Sequence, residues 1–149
     1  MIIRLASFLL AAAGAIAAAP AAAQFAKSED AVKYRQSAMF LQSQHFGRVA
    51  AMANGRVPFD AAAAASNAEL VATISKLPWA GFAPGTEGGK AKPEIWKEQA
   101  KFKELGDKLQ ADTEKLAAAA KGGNLDAIKA QVAATGETCK SCHDTYRSK

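Results

Sequence analysis

The sequence contains few side chains of the kinds that bind metal ions or form disulfide frameworks. Its 149 residues include two cysteines and two histidines. A structural zinc site needs about four such ligands, and His45 is far in sequence from the other three side chains, so zinc is not expected. The cysteines could form a single structural disulfide, which is permitted in an oxidising compartment.

Two other patterns are also missing. Basic and acidic residues alternate along the chain, whose formal net charge is +5, and no basic stripe interleaved with aromatic residues is present. Nucleic acid is therefore not an expected partner, although the mild positive charge would help to steer an unidentified acidic redox partner. No stretch reads as a β-strand, which indicates an all-α protein.

The N-terminus has the layout of a secretory signal peptide. Arg4 precedes an uncharged run from Leu5 to Ala19, which ends in proline and a small-residue cleavage pattern. The run is shorter than the roughly 20 residues of a membrane-spanning helix. We therefore predict a signal peptide over residues 1–23, a mature domain over residues 24–149, no membrane anchor, and a protein that is soluble outside the cytoplasm.

Helix-forming stretches and their boundary residues predict an antiparallel four-helix bundle with one domain. Asp60 and Asn124 are placed to cap the second and fourth helices. The first helix is expected within residues 24–54, with its start at Ser28, which Glu29 and Asp30 follow. The other expected elements are helices over 60–76, 93–122 and from 124 onwards, with a turn-rich loop over 78–92.

The fourth predicted helix has an inward face that includes both cysteines. Residues alternate three and four apart along it, as in a helix that packs on neighbours. This face consists of Leu125, Ile128, Val132, Thr135, Cys139, Cys142 and Tyr146.

The segment Cys139-Lys140-Ser141-Cys142-His143 matches the attachment signal for c-type haem. Residues three apart share a helix face, so both thiols can add to the vinyl groups along one porphyrin edge. A thiol oxidoreductase without haem is a remote alternative, because its cysteine pair belongs at a helix N-terminus in a βαβ fold. A plain disulfide explains neither His143 nor the inward cysteines. We predict one covalent haem c near the C-terminal end of the fourth helix.

The first predicted helix carries polar side chains on an otherwise inward face. Val32, Arg35, Gln36, Met39 and Phe46 are spaced to share one side of it. A buried arginine and glutamine need anionic or polar partners, and haem propionates would supply them.

Five segments in this order resemble the cytochrome c′ family, the class II c-type cytochromes. They are AVKYRQSAM, HFGR, LPWAGFAPGTEGG, KPEIW and CKSCHDTYR, which together span essentially all of residues 24–149. The resemblance implies a four-helix bundle with haem near its C-terminus. It also implies that His143 is the axial iron ligand and that the basic Arg147 flanks the proximal pocket.

The same resemblance implies roles around the haem edge and over the iron. Arg35 and Gln36 are expected beside a propionate, with Thr86 and Glu87 joining them at the haem edge. Met39 is expected on the distal face, where methionine can either pack over the iron or bind it. HFGR and LPWAGFAPGTEGG are more similar to the high-spin branch, which favours an unligated Met39. A low-spin electron-transfer cytochrome with Met39 as sixth ligand is the alternative.

The function implied by this resemblance is electron transport and nitric oxide binding in the periplasm. A five-coordinate iron would bind carbon monoxide as well as nitric oxide. An apolar distal wall would offer no hydrogen bond to dioxygen, which disfavours oxygen storage. No general acid or base is expected to face the iron, so we do not expect an enzyme. Many members of the family are homodimers packed through their first two helices, which leaves a homodimer open.

Overall fold

The structure is a computed structural model that describes residues 24–149, so the predicted signal peptide over residues 1–23 lies outside it. Within this range the regular secondary structure is helical, apart from one isolated bridge between Ala91 and Arg147. No helix in this range is both long and apolar enough to cross a membrane. The elements are α1 (Ser28–Ala53), α2 (Ala61–Ile74), a 3₁₀ helix (Pro78–Phe82), α3 (Glu94–Lys97), α4 (Gln99–Lys121) and α5 (Leu125–Tyr146).

The four long helices form the predicted bundle. Helix α1 packs on α2, α2 on α4 and α4 on α5, and α5 closes the ring against α1. Both predicted caps are confirmed, because Asp60 Oδ1 accepts a hydrogen bond from the Ala63 amide (2.9 Å) and Asn124 Oδ1 accepts one from the Ala127 amide (3.0 Å).

Helix α1 begins at Ser28, as predicted. Two other predicted boundaries are wrong. The third predicted helix is interrupted at Glu98, where the backbone leaves the helical region (φ −114°, ψ 42°) and the carboxylate accepts a hydrogen bond from the Tyr146 hydroxyl (2.9 Å). The predicted loop begins with the 3₁₀ helix, in which the Trp79 indole donates to the Ser75 carbonyl at the end of α2 (2.6 Å).

The C-terminal tail is held against the segment that precedes α3. The Lys92 amide donates to the Tyr146 carbonyl (2.9 Å), and the Ser148 amide donates to the Lys90 carbonyl (2.9 Å). Lys92 Nζ also donates to the carbonyl of Thr145 (3.1 Å), which is among the last carbonyls of α5 that the helix itself leaves unpaired. These contacts fix the end of α5 to the middle of the chain.

The core consists of two clusters with different side chains. An alanine-rich cluster fills one end of the bundle, around Val49, Leu116 and Ile128. An aromatic cluster at the other end is built on Phe102 and Tyr146 and includes the tryptophans of the 3₁₀ helix and α3. The aromatic end surrounds a cavity.

Candidate functional site

The cavity has a volume of about 590 Å³ and is lined by α1, α4, α5 and the segment that joins α2 to α4. Its size lies within the range of roughly 300–1,000 Å³ that is typical of ligand and cofactor sites. Most of its wall is apolar, and its aromatic side chains include Phe46 on α1 and Phe102 on α4. The charged residues on the wall are Arg35, Lys90 and Arg147, and within residues 24–149 it has no carboxylate. The wall therefore suits an apolar guest that carries negative groups.

Helix α5 presents Cys139, Cys142 and His143 to this cavity. The half-buried cysteines are free thiols. Burial raises the pKa of both thiols, that of Cys142 to about 11. A catalytic thiol pair needs a lowered pKa and a helix N-terminus, whereas these cysteines lie in the last turns of α5, so the site does not resemble that of a thiol oxidoreductase.

His143 lies at the rim of the cavity. Partial burial and then the nearby Arg147 guanidinium lower the pKa of His143 below its ordinary value. The neutral imidazole that this favours is the form that binds metals.

A buried carboxylate fixes α5 just before the first cysteine. Asp112 Oδ2 on α4 accepts hydrogen bonds from the Thr138 hydroxyl (2.7 Å) and from Lys108 Nζ (2.6 Å). Burial alone would raise the pKa of Asp112, but these hydrogen bonds outweigh it and the pKa is lowered. This bridge sets the position of Cys139 relative to α4, and sequence reasoning missed it because it joins two separate helices.

Arg35 on α1 is buried and holds the loop that follows the 3₁₀ helix. Its Nη1 donates to the carbonyls of Gly81 and Thr86 (2.7 Å to Thr86), and its Nη2 donates to the Gly88 carbonyl (2.8 Å). Its Cζ atom lies 4.6 Å from the centre of the Phe82 ring. The main contacts of this arginine are thus with the protein backbone, which the sequence did not predict.

Arg35 also retains capacity for an anion at the cavity. It makes no ion pair with any of residues 24–149, and burial lowers its pKa while the charge of Glu87 opposes that effect. Guanidinium has five N–H groups, so the backbone contacts leave donors free. A buried cation of this kind favours an anionic partner.

The cavity brings together seven of the nine predicted site residues, which are Arg35, Gln36, Met39, Cys139, Cys142, His143 and Arg147. Thr86 and Glu87 do not line it. The Thr86 hydroxyl donates within its own loop, to the Ala83 carbonyl (2.6 Å), and Glu87 is exposed, with Oε1 3.4 Å from the Gly85 amide nitrogen. Both residues shape the loop that Arg35 holds.

Sequence reasoning missed Gln42, which lines the cavity from α1. Its side chain is buried, with 6% of its surface exposed, and its Oε1 atom has no hydrogen-bond partner within the described chain. The signal was available, because Gln42 lies three residues after Met39 and seven after Arg35, on the same helix face. The wall that α1 contributes to the cavity is therefore not wholly apolar.

These observations fit a covalently attached haem. Two thiols one helical turn apart, an adjacent neutral imidazole, an apolar cavity and unpaired cations match what attachment, iron ligation and propionate binding require. The buried Gln42 oxygen adds a polar atom to the same space.

Comparison with known proteins gives consistent matches over most of the chain. The family model Cytochrome C' matches residues 30–147. Cytochrome c' from Alcaligenes xylosoxydans xylosoxydans is 52% identical over 126 residues, covering 85% of this chain and 99% of that protein. Cytochrome c' from Rubrivivax gelatinosus is 53% identical over 129 residues, covering 85% of this chain and 100% of that protein. A solved nitric oxide complex of a variant of cytochrome c prime from Alcaligenes xylosoxidans matches with a TM-score of 0.82 and 52% identity, covering 85% of this chain and 99% of that one.

Proposed function

The chain belongs to the cytochrome c′ family, whose members carry covalently attached haem c, and from this premise we propose that it is a periplasmic haem protein that carries electrons and binds nitric oxide or carbon monoxide. The observation that carries the proposal is the placement of Cys139, Cys142 and His143 together on the wall of one apolar cavity. The nitric oxide complex of a similar protein supports the choice of ligand.

In this proposal the two cysteines attach the haem and His143 binds its iron. Haem held here supplies an iron that exchanges one electron and binds diatomic gases. The mostly apolar wall would keep bulk water from a haem bound here, while Arg35 and Gln36 on α1 would hold its propionate end. Arg147 lies beside His143 and favours the neutral imidazole through its positive charge.

Met39 lies on the wall that α1 contributes to the cavity. We assign it to packing over the haem, which leaves the iron five-coordinate and open to gases. The relatives named cytochrome c' at 52% and 53% identity support this assignment. In the low-spin alternative, Met39 would bind the iron as its sixth ligand from this same position in the wall.

We assign no catalytic reaction to the site. No carboxylate from residues 24–149 lines the cavity to act as a general base. Tyr146, the tyrosine on the wall, has its pKa raised to about 12 by burial and by its hydrogen bond to Glu98. The periplasmic location rests on the signal pattern of residues 1–23, and an acidic redox protein is the expected electron partner.

The test is the mass and spectrum of protein exported from cells that mature c-type cytochromes. We expect a chain that begins at Gln24, carries one haem that resists acid-acetone extraction, and shows a high-spin ferric spectrum. A low-spin spectrum would support the alternative with Met39 bound. A haem-free chain, or haem that extracts, would contradict the proposal, and the double variant Cys139→Ala/Cys142→Ala provides the haem-free control.

A further inference from the structure

Gln42 has a buried acceptor atom that no part of the described protein satisfies. Its Oε1 is buried and without a hydrogen-bond partner among residues 24–149, and its side chain forms part of the cavity wall on α1. Buried polar atoms in native proteins are nearly always paired, with protein or with ordered water. An unpaired amide oxygen on a cavity wall therefore indicates a polar guest.

The hydroxyl groups of the wall are not available to Gln42. Those of Thr135 and Thr138 both donate to Asp112, to its main-chain and side-chain oxygens respectively. The Ser43 hydroxyl donates to the Phe40 carbonyl. The Tyr146 hydroxyl and the Trp79 indole likewise donate to Glu98 and to Ser75. Each of these donors is already committed, and the remaining donors of the wall, among them the Arg35 guanidinium, make no hydrogen bond with Gln42. A molecule inside the cavity could supply the missing hydrogen bond.

The position of Gln42 places this guest on the α1 side of the haem site. Gln42 follows Met39 by three residues on the same helix face, whereas the cysteines and His143 lie on α5. Further along this face, Phe46 approaches Gly136 of α5, with its Cζ 3.9 Å from the position of a Cβ at that glycine. Gln42 thus lies between the Met39 position and a point of close contact between α1 and α5.

We propose that Gln42 is the hydrogen-bonding residue of the gas-binding side, a role that rests on the proposed function. Its amide oxygen holds a water molecule in the cavity. A diatomic ligand displaces that water and accepts a hydrogen bond from the amide N–H, since a glutamine amide carries both an acceptor and donors. The site therefore discriminates ligands by polarity as well as by size.

The infrared spectrum of carbon monoxide bound to the reduced holoprotein tests this role. A hydrogen-bond donor beside bound carbon monoxide lowers its C–O stretching frequency. We expect Gln42→Met, which keeps the side-chain volume but removes the amide, to shift the band to higher frequency. Ser43→Ala is the matched control on the same wall, because the Ser43 hydroxyl is committed to its own helix, and it should leave the band in place.

The crystal structure of the ligand-free wild-type holoprotein provides a second test that does not depend on a variant. An ordered water should lie about 2.7–3.2 Å from the Gln42 amide. Equal frequencies in wild type and Gln42→Met, or the absence of this water, would each overturn the proposal while leaving the gas-binding function intact. The absence of any carbon monoxide band in the wild type would instead overturn the gas-binding function, and the role of Gln42 with it.

Discussion

Replacing Arg35 with alanine should destabilise the holoprotein mainly by releasing the loop that follows the 3₁₀ helix. The change removes hydrogen bonds to three carbonyls, of which those of Gly81 and Thr86 belong to buried residues and that of Gly88 to an exposed one. Water can replace the arginine at Gly88. The other two hydrogen bonds come from a charged donor, and each of them contributes about 1.5–3 kcal/mol.

We expect the loss of stability to lie close to the lower end of the summed energy of these two hydrogen bonds. Burial of the guanidinium is itself unfavourable, as its lowered pKa indicates, and removing it recovers part of the loss. We expect a decrease of about 3 kcal/mol in the free energy of unfolding. Urea denaturation of the holoprotein, followed by helical circular dichroism and by the haem absorption band, measures it.

Two further variants separate anchoring from charge. Arg48→Ala removes an exposed arginine from the same helix and should change stability by less than about 0.5 kcal/mol. Arg35→Lys keeps the positive charge but loses the guanidinium fork, so it should stay closer to the wild type in reduction potential than in free energy of unfolding. If Arg35→Ala and Arg48→Ala were equally stable, the anchoring role would be refuted.

Three other substitutions have expected outcomes. Met39→Ala should leave the ferric spin state unchanged and accelerate carbon monoxide binding in stopped-flow experiments; conversion from low-spin to high-spin iron would instead identify Met39 as a ligand. Asp112→Asn should cost about 1–3 kcal/mol at pH 7. Because the folded-state pKa of Asp112 is lowered, its carboxylate contributes stability above the unfolded pKa of about 3.9, and this contribution is lost as the pH falls through the folded value. The difference in free energy of unfolding between wild type and Asp112→Asn should therefore shrink below about pH 4. A difference that does not depend on pH would contradict this. Gly81→Ala should cost about 1–3 kcal/mol in thermal unfolding, because its Cβ would lie 2.9 Å from a carbonyl oxygen of α1, whereas Gly47→Ala meets nothing within 4 Å and should be neutral or stabilising.

The features that were predictable from the sequence are those set by neighbours along the chain. The buried face of α2, made of Ala64, Ala68, Val71 and Ile74, follows from helical spacing. The Asp60 and Asn124 caps depend on residues three positions away, and the haem attachment segment lies within five consecutive residues.

The features that were missed depend on partners distant in sequence. The break at Glu98 is fixed by Tyr146, which follows 48 residues later. Arg35 reaches carbonyls 46 to 53 residues away, and helical spacing alone identified it as inward without indicating its partner. Helical spacing could place Gln42 on the cavity face. The sequence could not show that its side-chain oxygen lacks a hydrogen-bond partner, because that depends on which acceptors the surrounding donors use in the folded protein.

The attachment of the C-terminal tail to Lys90 and Lys92 constrains the order in which the protein is assembled. If the chain is exported N-terminus first, as we propose, the residues of α1 and α2 cross the membrane before residues 139–149. The wall that carries both thiols and the imidazole then follows, and the Tyr146 carbonyl and the Ser148 amide join its end to Lys92 and Lys90. A substitution or tag that displaces Ser148 would therefore disturb contacts that hold this end of α5.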